Sequence, residues 1–328
     1  MLRRVDPMVR LLLVAIVLAS VLPVSGSAKA AAQFASNAAV FLLFLLNGLR
    51  LPRHEVFTGL GNHRLLWPLV AWVYGAMALA GWMLWHLGGV LMPPLLALGF
   101  VFLGTLPSTV QSATAYASLA GGNVALSVVA AALLNILGVF VTAPLFSLMA
   151  GSGGAGFNSD ALIKVAAILL LPFVLGQVLQ RWLLEWVQGH RALVTWMDRS
   201  SIAIAVYVAF SGAVVQGIWT RVGPGAWAAL LALCTVLLVI GYAGAWGLGG
   251  LLKLPRGDRV VMLFAGGQKS IAMGAPLATV LFPPAAAGIV LLPVLVYHLA
   301  QLVVAAPLAA RLHGGQAAGT SSPLTLSG

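Results

Sequence analysis

The stretch Val101-Phe-Leu-Gly-Thr-Leu-Pro107-Ser-Thr-Val-Gln-Ser-Ala-Thr114 decides how this sequence is read. An apolar run stops at Leu106, a proline follows, and Ser108, Thr109, Gln111, Ser112 and Thr114 crowd the next two turns. A second stretch has the same form: Val260 to Ala265 is apolar, Gly266-Gly267-Gln268-Lys269-Ser270 interrupts it, and it resumes at Ile271 with Pro276 inside. Proline removes a backbone donor and clashes with the preceding turn, and each glycine costs a helix about 1 kcal/mol. Both stretches therefore read as broken helices. Irregular backbone at membrane depth survives only where protein or a water-filled cavity surrounds it, so two such breaks predict a buried polar site.

The rest of the chain supplies the membrane. Of 328 residues, 61% are hydrophobic and 7% charged, against about 25% charged in soluble proteins. Apolar runs fall at roughly 9–25, 31–49, 65–86, 92–119, 123–150, 161–184, 199–218, 225–251, 257–281 and 285–311. A crossing helix needs about 20 apolar residues, so ten transmembrane helices use nearly the whole chain and the fold class is all-α integral membrane. The first run ends in Ser27-Ala-Lys-Ala30, which also has the form of a secretory signal; cleavage would leave the orientation of the other nine unchanged. The tail from Gly314, rich in Gly, Ala, Ser and Thr, is expected to be disordered.

The net charge of +11 is spread singly between apolar runs, which argues against a nucleic-acid partner. With both termini inside, thirteen basic residues fall in inner segments, and only Lys29, Lys164 and Arg221 in outer ones. That bias predicts a multi-pass inner-membrane (plasma-membrane) protein with cytoplasmic termini. The single Cys234 excludes a disulfide framework or a cysteine metal site. Every Asp and Glu (Asp6, Glu55, Asp160, Glu185, Asp198 and Asp258) maps to a loop or a span end, and neither a His-Glu-x-x-His sequence nor a Walker loop is present. An intramembrane hydrolase and an ATP-driven pump are thereby disfavoured, and no enzyme activity is expected.

The halves resemble one another. Val141-Thr-Ala-Pro-Leu145 and Val304-Ala-Ala-Pro-Leu308 are 163 residues apart, with Asn135 and His298 each nine residues before the proline. Five spans per half make the second copy inverted, as in many secondary transporters, where matched broken helices mark the binding site. Residues 1–150 form the first repeat, 151–313 the second, and 314–328 the tail.

Candidate site residues carry two readings each. Ser108, Thr109, Gln111 and Ser112 either line the site or repair the backbone around Pro107. Asn123 is either an ion ligand or the N-cap of the fifth span. Asn135 and His298 either face the site or bond a neighbouring helix, and His298 is able to titrate near neutral pH. Lys269 either snorkels to an interface or stands at the site with Gln268 and Ser270. An ammonium at mid-membrane costs about 2.5–3.5 kcal/mol on the most lenient scale. With every carboxylate in a loop or at a span end, its partners must be neutral oxygens, water or an anionic substrate. The carbonyls freed at Gly266 and Gly267 and the polar residues of the first break are the expected donors of those oxygens.

Pro107 to Leu119, followed by Gly121-Gly-Asn-Val-Ala-Leu-Ser127, resembles the fourth and fifth helices of the bile acid:sodium symporter superfamily. Ala265-Gly-Gly-Gln-Lys-Ser-Ile-Ala-Met-Gly-Ala-Pro-Leu277 resembles its ninth. The Gln-Lys-Ser form and Leu171-Pro-Phe-Val-Leu-Gly-Gln177 are similar to a symporter-like subgroup. The resemblance implies a core domain in which spans four and nine cross, a panel of two helix pairs, two sodium ions near the crossing, and an amphipathic organic anion as substrate. Ser112, Ser127 and Gln268 match sodium-ligand positions. Ala131 stands where the carriers have a hydroxyl, Phe264 where they have the carboxylate shared by both ions, and Lys269 where they have Asn. The expectation is thus a secondary carrier coupled to sodium or to protons, with Lys269 taking over part of the work of a cation. A channel, or a membrane regulatory protein without coupled transport, is the alternative. Beyond the lipid bilayer and a small anion the sequence names no partner, and beyond sodium it names no cofactor.

Overall fold

The computed structural model describes residues 7–50, 61–151 and 166–319, and these are mostly helical, with no strand among them. Each apolar run becomes helix. The first two are α1 (Pro7–Val21) and α2 (Ala28–Arg50). The third is α3 (His63–Ala71) and α4 (Met77–Gly88), joined by a π turn at Trp72–Ala76. The fourth is α5 (Pro94–Thr105) and α6 (Gln111–Leu119), separated by non-helical residues 106–110. Then come α7 (Val124–Ala150), a π turn Ala166–Leu170 leading into α8 (Leu171–Gly189), and α9 (Arg191–Val215). The eighth run is α10 (Pro224–Val239) and α11 (Ala245–Leu251) around a π turn at Ile240–Gly244. The ninth is α12 (Arg256–Gly267) and α13 (Ile271–Leu281), and the tenth is α14 (Pro284–Gly319). Among the described residues, seven helical stretches are long and apolar enough to cross a membrane, and α1 and α5 are shorter apolar helices.

Three expectations change. The tail is helical to Gly319, so α14 continues past the Gly314 boundary, and residues 320–328 lie outside the described part. The second break is confined to residues 268–270, because Gly266 and Gly267 complete the last turn of α12. Asp198 is not at a span end. The seventh helix begins at Arg191, two turns before its apolar run, and so carries Asp198 inside, only 7% exposed. Asp6, Glu55 and Asp160 lie outside the described residues.

Loop contacts show which helix ends share a face. Arg64 donates to Leu252 O at 3.1 Å. Asp258 accepts from Asn62 at 3.3 Å and from Asn123 at 3.0 Å. Near the opposite end, Tyr207 donates to Leu22 O at 2.8 Å. Lipid gives helices no hydrophobic drive to associate, so close approach through small residues does that work. A Cβ on Gly81 would lie 2.3 Å from Phe100 O, which draws α4 tightly against α5. A Cβ on Gly212 would lie 2.0 Å from Pro284 O, and one on Gly288 2.5 Å from Ala209 O, which seals α9 against α14.

Candidate functional site

The two breaks meet. Ser270 N–H donates to Pro107 O at 2.9 Å, joining their main chains. Gln268 Oε1 accepts from Thr109 Oγ1 at 2.5 Å and from Ser112 Oγ at 2.6 Å, and the two hydroxyls are 2.7 Å apart. Ser270 also caps α13, its hydroxyl accepting from Met273 N at 3.2 Å. Ser108 is buried with its carbonyl accepting from Asn135 at 3.1 Å, so its main chain is repaired from α7.

Lys269 is fully buried, and its ammonium donates to Gly104 O at 2.7 Å, Leu106 O at 2.8 Å and Val73 O at 3.1 Å. Each of these carbonyls is free for a local reason. Gly104 and Leu106 end α5, where the last carbonyls lack helical partners and the dipole favours a cation. At the π turn, Met77 N–H turns to Trp72 O, five residues back, where an α-helix would use Val73 O. The expected donors, Gly266 and Gly267, are otherwise engaged. Gly266 O accepts from Trp72 Nε1 at 3.2 Å and Gly267 O from Tyr297 OH at 2.6 Å. With those two carbonyls taken, the lysine stem crosses to the other break.

The Lys269 peptide is clamped from α14. Its N–H donates to Gln301 Oε1 at 2.8 Å and its carbonyl accepts from Gln301 Nε2 at 3.0 Å. The same amide donates to His298 Nδ1 at 2.8 Å, which leaves the ring proton on Nε2. Two of the three π turns occupy corresponding places in the third and eighth runs, and each carries a tyrosine at its third residue. Tyr74 donates to Leu134 O in α7, and Tyr242 to Gln301 O in α14.

Beside the crossing lies a cavity of about 330 Å³. The two breaks with the helices around them contribute Thr109, Gln111, Ser112, Asn135, Ser270 and His298; a wall from α2 and α9 contributes Asn47, Arg50, Asp198 and Arg199; Phe173, Ile202 and Val139 are also in the lining. Arg50 pairs with Asp198, and Arg199 adds a second cation, so this wall holds two positive charges against one negative. The sequence reading missed this wall, because its residues lie where apolar runs fade. The available signal was Asp198-Arg199-Ser-Ser201, polar residues directly abutting an apolar run. Two candidates are not brought to the crossing. Asn123 caps α7, accepting from Leu126 N at 3.2 Å, and spends its amide on Asp258. Ser127 donates to Thr114 at 3.3 Å.

A helical multi-pass membrane protein whose two broken helices meet beside a polar-walled cavity has the build of a transporter. Residues 6–314 match the SBF-like CPA transporter family, and the chain belongs to that family. It is 38% identical over 304 residues to protein PA2026 of Pseudomonas aeruginosa, covering 92% of this chain and 90% of that one. It is 36% identical over 310 residues to YfeH of Escherichia coli, covering 94% and 93%. Sodium/bile acid cotransporter 7 of Mus musculus is 23% identical over 283 residues, covering 82% and 80%.

Proposed function

We propose that this chain is a secondary carrier for an amphipathic organic anion, working by alternating access between its two halves in the plasma membrane, with both termini cytoplasmic. The observation that carries this reading is the cavity beside the crossing. It offers an anion two arginines against one carboxylate from α2 and α9, hydroxyl and amide groups from the breaks and α7, and apolar side chains in the same lining. That pattern suits a solute with one charged end and a hydrocarbon body. The name of the mouse relative, a sodium/bile acid cotransporter, agrees with a transport role. Residues Arg50 and Arg199 share a face with the helix ends that carry most of the basic charge, so the reading makes this the cytoplasm-facing cavity. The tight packing of Gly212 and Gly288 then closes the outer side.

Thermal unfolding in detergent tests the reading directly, since a ligand bound to the folded state raises its midpoint. Amphipathic carboxylates and sulfonates should raise it saturably, amphipathic ammonium compounds should not, and Arg199→Gln should weaken the anion effect about tenfold, equivalent to about 1.4 kcal/mol. Single-channel conductance in planar bilayers, or equal stabilisation by cations and anions, would refute it.

A further inference from the structure

The resemblance to sodium symporters implies two sodium ions at the crossing, and the residues present do not fit them. The position of the shared carboxylate is Phe264, whose ring stacks on Tyr116 at 6.0 Å and meets Tyr242 edge-on at 6.2 Å. Gln268 Oε1 already accepts two hydroxyls, and the three oxygens are locked together at 2.5–2.7 Å, with no gap among them. The other end of the buried Gln268 amide is a nitrogen, which puts a donor where a cation needs oxygen. Ser127 is turned to Thr114.

The carbonyl oxygens that an ion would seek are nevertheless present, gathered from two helices at Val73, Gly104 and Leu106. Lys269 already fills them. An ammonium has three protons and no lone pair, and the three contacts of 2.7, 2.8 and 3.1 Å use every one of them. Among the described residues no carboxylate pairs with it, so the charge is met by main-chain dipoles alone, as in a cation site. Its own peptide is held on both sides by Gln301, which prevents the side chain from withdrawing with its backbone.

We infer that the Lys269 ammonium is a built-in cation of the crossing: it occupies the cage of Val73, Gly104 and Leu106 carbonyls, joins the two breaks, and makes the fold of the crossing independent of sodium. A chain with its cation covalently attached gains nothing from sodium in solution, whereas a chain stripped of it should regain a cation site.

The test is thermal unfolding of the full chain in detergent, in choline, sodium or potassium chloride at one ionic strength, with propylammonium as the added probe. Propylammonium carries the three carbons and the ammonium that Lys269→Ala removes. Wild type should unfold at the same midpoint in all three salts and ignore propylammonium. Lys269→Ala should unfold at a lower midpoint that propylammonium raises saturably. A wild-type midpoint raised by sodium above both choline and potassium would overturn the inference, as would a Lys269→Ala midpoint equal to wild type or unmoved by propylammonium. Should Lys269→Ala not fold, Lys269→Met keeps the stem and loses the charge; a lowered midpoint supports the inference and an unchanged one overturns it. Where neither variant folds, the wild-type salt comparison decides alone. Because the readout is unfolding rather than uptake, a chain that carried no anion at all would still give these results.

Discussion

Replacing Gln301 by leucine asks how much the clamp on the second break contributes. The side chain is fully buried and makes three hydrogen bonds: two to the Lys269 peptide, at 2.8 and 3.0 Å, and one to His298, at 2.8 Å. Two estimates of the loss diverge. Side-chain bonds between membrane helices average about 0.6 kcal/mol, because the unfolded chain in the bilayer finds substitute partners; three of them give roughly 2 kcal/mol. A buried main-chain group left without a partner costs about 1–3 kcal/mol. Leucine leaves two such groups, the N–H and the carbonyl of Lys269, giving roughly 2–6 kcal/mol. The second estimate should govern, since residues 268–270 are held out of helix only in the folded state and regain helical partners when it is lost. Gln301→Leu is therefore expected to lose about 3–4 kcal/mol in equilibrium unfolding in mixed detergent–lipid micelles. Asn135→Leu strips only the Ser108 carbonyl of a partner it needs, because Ala131 O keeps its helical bond, and should lose about 1 kcal/mol. Equal losses for the two variants, or a Gln301→Leu loss below about 1 kcal/mol, would refute the claim that the break depends on this clamp.

Other outcomes follow from the packing and the cavity. Gly81→Ala places a methyl 2.3 Å from Phe100 O, so α4 and α5 must part, and stability should fall by about 1–3 kcal/mol in the same assay; an unchanged midpoint would show that the contact yields freely. In a background with Cys234→Ala, a cysteine at His190 should react with an impermeant maleimide only in opened vesicles, and one at Gly223 in intact cells; the reverse pattern would invert the orientation. His298 lines the cavity with Nδ1 accepting from the Gln301 amide, so His298→Leu should lose about 1 kcal/mol in the same unfolding assay, and an unchanged midpoint would show that the clamp does not need it.

The helices and the two breaks are legible in the sequence because their causes are local. Pro107 lacks a donor wherever it stands, and an apolar run of 20 residues declares its solvent. Partnership across the fold is less legible. Lys269 is visible as a buried charge, but its carbonyls belong to Val73, Gly104 and Leu106, and only the first break hints at two of them. Val73 is hidden altogether, since Trp72-Val-Tyr-Gly-Ala76 reads as ordinary apolar helix and nothing in it marks a π turn. Asp198 is missed for the opposite reason. Hydropathy marks where a helix stops being greasy, and α9 continues as helix for two polar turns before that point. Asn123 shows a residue whose local role, capping α7, fully consumes the oxygen that a ligand reading needs.

The π turn at Trp72–Ala76 has a consequence for the length of the chain around it. A π turn is a helix holding one residue in excess, so deleting a single residue there would restore a plain α-helix. Val73 O would return to the ladder, leaving two carbonyls for three ammonium protons. Everything after the turn would also rotate by about 100° and slide by about 1.5 Å, carrying Gly81 away from Phe100. One omitted codon would thus undo two contacts a dozen ångströms apart by the helical rise, whereas a side-chain substitution at the same place disturbs one. The third run is therefore far less tolerant of insertion and deletion than of replacement, and the surplus residue, although it bears no chemistry of its own, is a working part.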